Sequence, residues 1–291
     1  MANREILVEE RSRDIGQFLV GRILPFREKR MVGPFIFVDH MGPSTMTAES
    51  NLQVDQHPHI GLSTLTYLLE GEIMHRDSIG TVQRIKPGEV NLMISGKGVT
   101  HTERTPEDLL GAPFTVHGYQ LWIALPKDKE QMEPEFYHQS LDELVTWEEN
   151  GLSCKLIIGE AFGRKGSLPA TSEMFLVQME CEEESKINLQ GALYGEIGIL
   201  VNEGAVIACE HTIEAGNMLI SKEEDQCEIT LKAGSRVFLL GGKPFPEQRY
   251  IDWNFVSSDR EIIEKARADW DAKAFPKVPE DETYIPRPQI F

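Results

Sequence analysis

The chain has 291 residues, with 29 Lys and Arg against 47 Asp and Glu, a formal charge of −18, and 41% hydrophobic and 26% charged residues. That balance describes a globular chain long enough for two domains and excludes disordered and fibrous classes. So acidic a surface repels phosphate backbones and anionic lipid, so neither direct nucleic-acid binding nor membrane binding is expected.

The opening residues, Met1 to Asp14, are charged and lack the apolar core of a signal peptide, and no apolar run approaches the ~20 residues of a membrane span. A soluble, cytoplasmic protein is expected. Cys154, Cys181, Cys209 and Cys227 show no C-x-x-C spacing and read as reduced thiols rather than a zinc knuckle or redox pair.

In chain order, residues 16–24 predict a strand ending at Pro25. Pro34 to Asp39 predicts a second strand, closed by Gly42-Pro43. His40, just after it, reads as a polar residue at a strand end. His57-Pro58-His59 then leads into the β-branched and aromatic run Ser63 to Glu72. Met74 to Thr81 predicts a strand and hairpin end, with His75, Arg76 and Asp77 as turn and surface residues bonded to one another. Pro87-Gly88 turns into Val90 to Ile94, and Gly96-Lys97-Gly98 delivers His101-Thr102-Glu103. Strand character returns over residues 113–125.

Short strands separated by Gly and Pro turns predict an antiparallel barrel or jelly roll. The Lys-, Glu- and Pro-rich stretch that follows reads as a linker with a helical turn near Leu141, Leu144 and Val145. The second half repeats the first weakly. Glu70-Gly71-Glu72-Ile73-Met74 parallels Glu203-Gly204-Ala205-Val206-Ile207, and Pro87 to Ser95 parallels Ala215 to Ser221. The copy has only a lone His211, so the second barrel is expected to hold no metal. Ser258 with Glu261 forms a capping-box pattern, and Ile262, Ile263, Ala266, Trp270 and Ala274 predict an amphipathic helix over 259–274. The tail from Phe275, with four prolines, should lie extended over the surface.

The chemistry concentrates in two triplets, His57-Pro58-His59 and His101-Thr102-Glu103. On a strand, residues two apart point to the same face, so each triplet aims two donors one way. Two such strands facing each other would bring His57, His59, His101 and Glu103 around one divalent ion. Nitrogen and oxygen donors without thiolate suit Fe(II), Mn, Ni, Cu or Zn.

These motifs resemble the two cupin motifs and, more narrowly, the pirin family. The likeness lies in Pro34-Phe35 to Gly42-Pro43, His57-Pro58-His59-Ile60-Gly61, His75-Arg76-Asp77-Ser78, His101-Thr102-Glu103, Gly241-Gly242-Lys243-Pro244 and Phe275-Pro276. A typical cupin has its glutamate shortly after the His pair, where this chain has Ser63 and Thr64. The pirin pattern instead puts it two residues after the last His, at Glu103. The resemblance implies an all-β fold of two tandem cupin (jelly-roll) barrels with a short C-terminal helix and extended tail. Its expected division is residues 1–126 with the metal site, a linker over 127–150, a metal-free barrel over 151–257, and the helix and tail over 258–291.

It also implies a single iron, Fe(II), in the first barrel. Some family members are quercetin 2,3-dioxygenases, which cleave a flavonol with O₂ and release carbon monoxide. Others are iron-dependent regulators acting through protein partners in transcription or metabolism. The expected activity is therefore a flavonol dioxygenase with Glu103 as its base. Phe35, Phe37 and Met93 would form an apolar mouth. The alternatives are a non-enzymatic, metal-dependent regulator and, third, a zinc hydrolase, although a fourth protein ligand is unusual for catalytic zinc.

Overall fold

A computed structural model of the chain describes residues 5–14, 19–47, 50–208, 210–222 and 228–288. Strands dominate, and one α-helix, Arg260–Asp271, is present among the described residues. Cys209, Cys227 and the first three residues of the strand expected over 16–24 lie outside the described residues, and Leu19–Leu24 is a strand. Of the other thiols, Cys154 and Cys181 are free and buried, and burial pushes the Cys154 thiol up to about 12.

The chain forms two compact units. One holds the described residues of 13–20, 39–141 and 246–291; the other holds those of 1–12, 21–38 and 142–245. The strands Leu19–Leu24 and Phe35–Met46 are divided between them. The helix and tail thus cluster with the first half, and strand Ile6–Glu9 pairs with Asn217–Lys222 in the second half.

The first-half unit has a four-stranded antiparallel sheet in the order Gln53–His59, Val99–Arg104, Ile73–Asp77, Val82–Ile85. Strands Glu135–Gln139, Val90–Ile94, Leu62–Glu70 and Phe114–Ala124 run side by side in a second sheet. The second-half unit has a four-stranded sheet in the same spatial pattern: Ser185–Asn188, Glu228–Leu231, Ala205–Ala208, His211–Glu214. The repeat visible in the sequence is real in the backbone. Gly71 and Gly204 turn equivalent connections from one sheet to the other, with φ of +81° and +72°, a region open to glycine without steric cost.

The stretch 127–150 is more ordered than a linker. It contains strands Glu135–Gln139 and Val145–Glu149 and a 3-10 turn at Leu141–Glu143. It is also anchored by burial: the Glu130 carboxylate pairs with Arg249 at 3.0 Å and accepts from the Ser257 hydroxyl at 2.8 Å. A buried carboxylate needs such partners, because leaving it unpaired costs several kcal/mol.

The helix starts one residue later than the capping box implies. Asp259 is the N-cap and accepts from the Glu261 amide at 2.9 Å, while the Ser258 amide and hydroxyl donate to Glu130. Ile263, Ala266 and Trp270 are its buried face, and the helix ends at Asp271, leaving Ala274 exposed. The described tail residues, 275–288, have no regular structure, and they are tied down by burial and hydrogen bonds. Val278 and Asp281 are buried. The Gln56 amide donates to the Asp281 and Thr283 carbonyls at 2.8 and 2.9 Å and accepts from the Val278 amide at 2.8 Å.

Candidate metal centre

Antiparallel pairing sets His57 directly opposite His101 and His59 opposite Val99. Alternation along each strand then points His57 and His59, and His101 and Glu103, toward one side. A register shift between His101 and Glu103 marks a bulge in this pair of strands. Bulges bend a strand and re-aim its side chains.

The three imidazoles meet. Ring centroids are 4.2 Å apart for His57 and His101, 5.1 Å for His57 and His59, and 5.0 Å for His59 and His101. One ligand nitrogen from each lies within 4.8 Å of the others. That is near the span of about 4 Å that two opposed bonds of ~2.1 Å allow. Glu103 falls in a second, overlapping group of the same tightness with His75 and His101.

Burial disfavours the charged form of all three imidazoles. Desolvation lowers the His57 pKa from its ordinary value and drives those of His59 and His101 well below it, and the neighbouring imidazoles add to the effect. Neutral imidazole is the ligating form. The hydrogen bonds leave a nitrogen free on each ring. His57 Nδ1 bonds the Asp55 carbonyl at 2.8 Å, freeing Nε2. Nδ1 of His59 and Nε2 of His101 are buried without a hydrogen-bond partner. Buried polar atoms are seldom left so, and a cation would satisfy these. The donor set therefore fits a single metal ion.

Glu103 is oriented through one oxygen. Its Oε1 accepts from Gln120 Nε2 at 3.2 Å and stands 3.5 Å from the Thr66 hydroxyl. Gln120 and Thr66 are cross-strand partners. The next inward row of the same sheet runs Trp122, Thr64, Met93, Phe136. Trp122 packs edge-on to His59 with centroids 5.1 Å apart, and Phe136 lies 4.7 Å from His75.

The structure thus brings together His57, His59 and His101, with Glu103 beside His101. Met93 lies on the sheet face that meets the histidines. Phe35 and Phe37 are both buried and cluster with the other unit, where Arg22 lies 4.3 Å from the Phe37 ring. Trp122 and Phe136 are the aromatic rings that pack on His59 and His75. Only their spacing of two from Gln120 and His138 could have pointed to them.

His75 and Asp77, expected at the surface, are 4% and 0% exposed. They sit on strand Ile73–Asp77, whose pairing sets His75 opposite Glu103 and Asp77 opposite His101. Burial alone would raise the Asp77 carboxyl, but hydrogen bonds from His75 and Thr81 outweigh it and hold it below its ordinary value. His40 lies within strand Phe35–Met46, with Nε2 2.9 Å from His117 Nε2 and its ring stacked on Tyr119. His211 is exposed and pairs with Glu5 at 2.8 Å. No helix is long and apolar enough to cross a membrane among the described residues.

Comparison with known proteins agrees with this geometry. The family model described as Pirin matches residues 17–123, and that of the Pirin C-terminal cupin domain matches residues 176–276. A pirin-like protein of Caulobacter vibrioides is 42% identical over 98% of this chain and 99% of its own length. A Pseudomonas aeruginosa relative, provisionally named a quercetin 2,3-dioxygenase, is 37% identical over 88% of this chain and 80% of its own. The crystal structure of quercetin 2,3-dioxygenase from Acinetobacter baumannii superposes with a TM-score of 0.90 at 34% identity, covering 98% of this chain and 95% of that one.

Proposed function

The chain belongs to the pirin family, with two cupin domains, and from that premise we propose that it is a mononuclear metal dioxygenase acting on flavonols. His57, His59, His101 and Glu103 would hold one divalent ion, Fe(II) in the first instance. Carrying the reading is one observation: three buried imidazoles converge, with unpartnered nitrogens on His59 and His101, and Glu103 stands beside His101. A nitrogen and oxygen set without thiolate also accommodates Mn, Ni, Cu or Zn. The name of the A. baumannii structure supports the flavonol substrate.

When bound, the ion would supply Lewis acidity toward the flavonol and an electron path to O₂. The chain's residues would do the rest. Glu103 would take the proton of the flavonol's enolic hydroxyl, as a carboxylate within hydrogen-bond reach can. Gln120 and Thr66 hold its Oε1, and Oε2 would serve the ion or the substrate. Trp122, Met93 and Phe136 offer an apolar and aromatic wall suited to a flat substrate and to limiting water.

The test is anaerobic loading with Fe(II), then addition of quercetin and air. Consumption of O₂ with bleaching of the flavonol absorbance is expected. A Glu103→Gln protein that retains iron should lose that turnover. Absence of turnover with any flavonol, together with a stable protein partner recovered with the iron-loaded chain, would replace this reading with a regulatory one.

A further inference from the structure

We propose that Asp77 and His75 form a positioning pair that sets the tautomer of His101 and so turns a lone pair of its Nε2 toward the metal. The inference rests on the metal-centre reading above and adds residues that reading does not use.

The argument follows hydrogen-bond polarity along one chain of atoms. Asp77 Oδ1 accepts from two backbone amides, Ile79 at 3.1 Å and Thr81 at 2.9 Å, so its carboxylate is fixed by the hairpin turn. Its Oδ2 lies 3.1 Å from His75 Nε2. A carboxylate only accepts, so His75 Nε2 carries the hydrogen. In a neutral imidazole the other nitrogen is then an acceptor, and His75 Nδ1 stands 3.4 Å from His101 Nδ1. His101 Nδ1 must therefore be the donor, and His101 Nε2 carries the lone pair. That nitrogen is buried with no partner in the protein. A hydrogen there would be an orphan donor, whereas a lone pair there is a ligand.

Packing keeps the chain dry and in place. His75 is 4% and Asp77 0% exposed, and the Phe136 ring lies against His75. Ligating histidines commonly have their second nitrogen held by a carboxylate, directly, which fixes ring and tautomer. Here the carboxylate acts through an intervening imidazole. While its Nδ1 accepts from His101, His75 is not itself a ligand.

Asp77→Asn separates this from a packing role. The two backbone amides require an acceptor at Oδ1, so the asparagine carbonyl must stay there and its NH₂ must face His75. Polarity then reverses: His75 Nε2 accepts, His75 Nδ1 donates, and His101 holds its hydrogen on Nε2.

Long-range ¹H–¹⁵N spectra of histidine-labelled, metal-free wild-type protein at neutral pH should show His101 protonated on Nδ1 and His75 on Nε2. Asp77→Asn should exchange both and lower Zn(II) affinity by about 10–100-fold in a competition titration. In His75→Gln, the amide oxygen can accept from His101, so the Nδ1–H tautomer should persist and zinc affinity should exceed that of Asp77→Asn. Wild-type His101 protonated on Nε2 would overturn the proposal, and that spectrum needs no variant to fold. So would a folded Asp77→Asn protein with wild-type zinc affinity, or a zinc form with His75 as a ligand. Failure of the wild-type chain to take up Zn(II) or Fe(II) is a different result, and would overturn the metal centre itself.

Discussion

The two four-stranded sheets follow the same order of strands, yet their inward positions hold opposite chemistry. In the first-half unit, strands Gln53–His59, Val99–Arg104 and Ile73–Asp77 direct His57, His59, His101, His75 and Asp77 into the interior. In the second-half unit, strands Ser185–Asn188, Glu228–Leu231 and Ala205–Ala208 fill the interior with Ile187, Ile229, Leu231, Val206 and Ala208, all within 1% of full burial. Aliphatic filling is what stability alone would select, at roughly 25 cal/mol per Å² buried. Burying imidazoles instead loses hydration and lowers their pKa values, so the first sheet gives up core stability for a site.

The sharpest way to break the comparison is to make the first sheet resemble the second. His101→Leu should reduce metal content to near zero, a loss beyond the ~10–100-fold expected for residues that merely orient ligands. Metal analysis of protein purified without added metal checks it; retention of one ion per chain would place the ion elsewhere. The mirror-image change, Leu231→Ala, should cost about 2–5 kcal/mol of stability while leaving metal content unchanged. Denaturant unfolding combined with metal analysis reads both.

Acid should discriminate next. In metal-free protein, His59 and His101 resist protonation when folded but bind protons near the ordinary value of 6.5 when unfolded. The unfolded state therefore binds more protons as pH falls below 6.5, and stability drops with it. The loss from these two residues should grow steadily as pH falls below 6.5. Their contribution should be constant above pH 7.5, and stability curves in urea across that range test the sign. The smallest effect is expected at Gln120→Leu, which removes a donor to Glu103 while leaving the histidines. It should weaken metal binding by about 10-fold, at the low end for an outer partner, and a chelator titration measures it.

Much of this arrangement was legible in the chain. Paired donors at a spacing of two give His57, His59, His101 and Glu103, because strand alternation is a local rule. The duplicated strand–turn–strand units and the helix were visible for the same reason, through Gly71 and Gly204 and through the periodic Ile263, Ala266 and Trp270. What could not be read was cross-strand register. Trp122, Phe136 and Gln120 reach the site only because Thr64, Thr66 and Met93 align them across neighbouring strands. His75 and Asp77 looked like turn residues, since nothing local shows that their strand lies beside Val99–Arg104. Ser258 satisfied a capping pattern, but a buried Glu130 from 128 positions away claimed it.

Gln56 sits next to His57, yet its amide and backbone are joined to Val278, Asp281, Thr283 and Ile285, more than 220 positions along the chain. The strand that carries His57 and His59 is therefore tethered by a distant segment. Amide exchange should find residues 53–59 and 278–285 opening together as one cooperative patch, so loosening the tail would be felt by His57 before the core around Leu231 noticed.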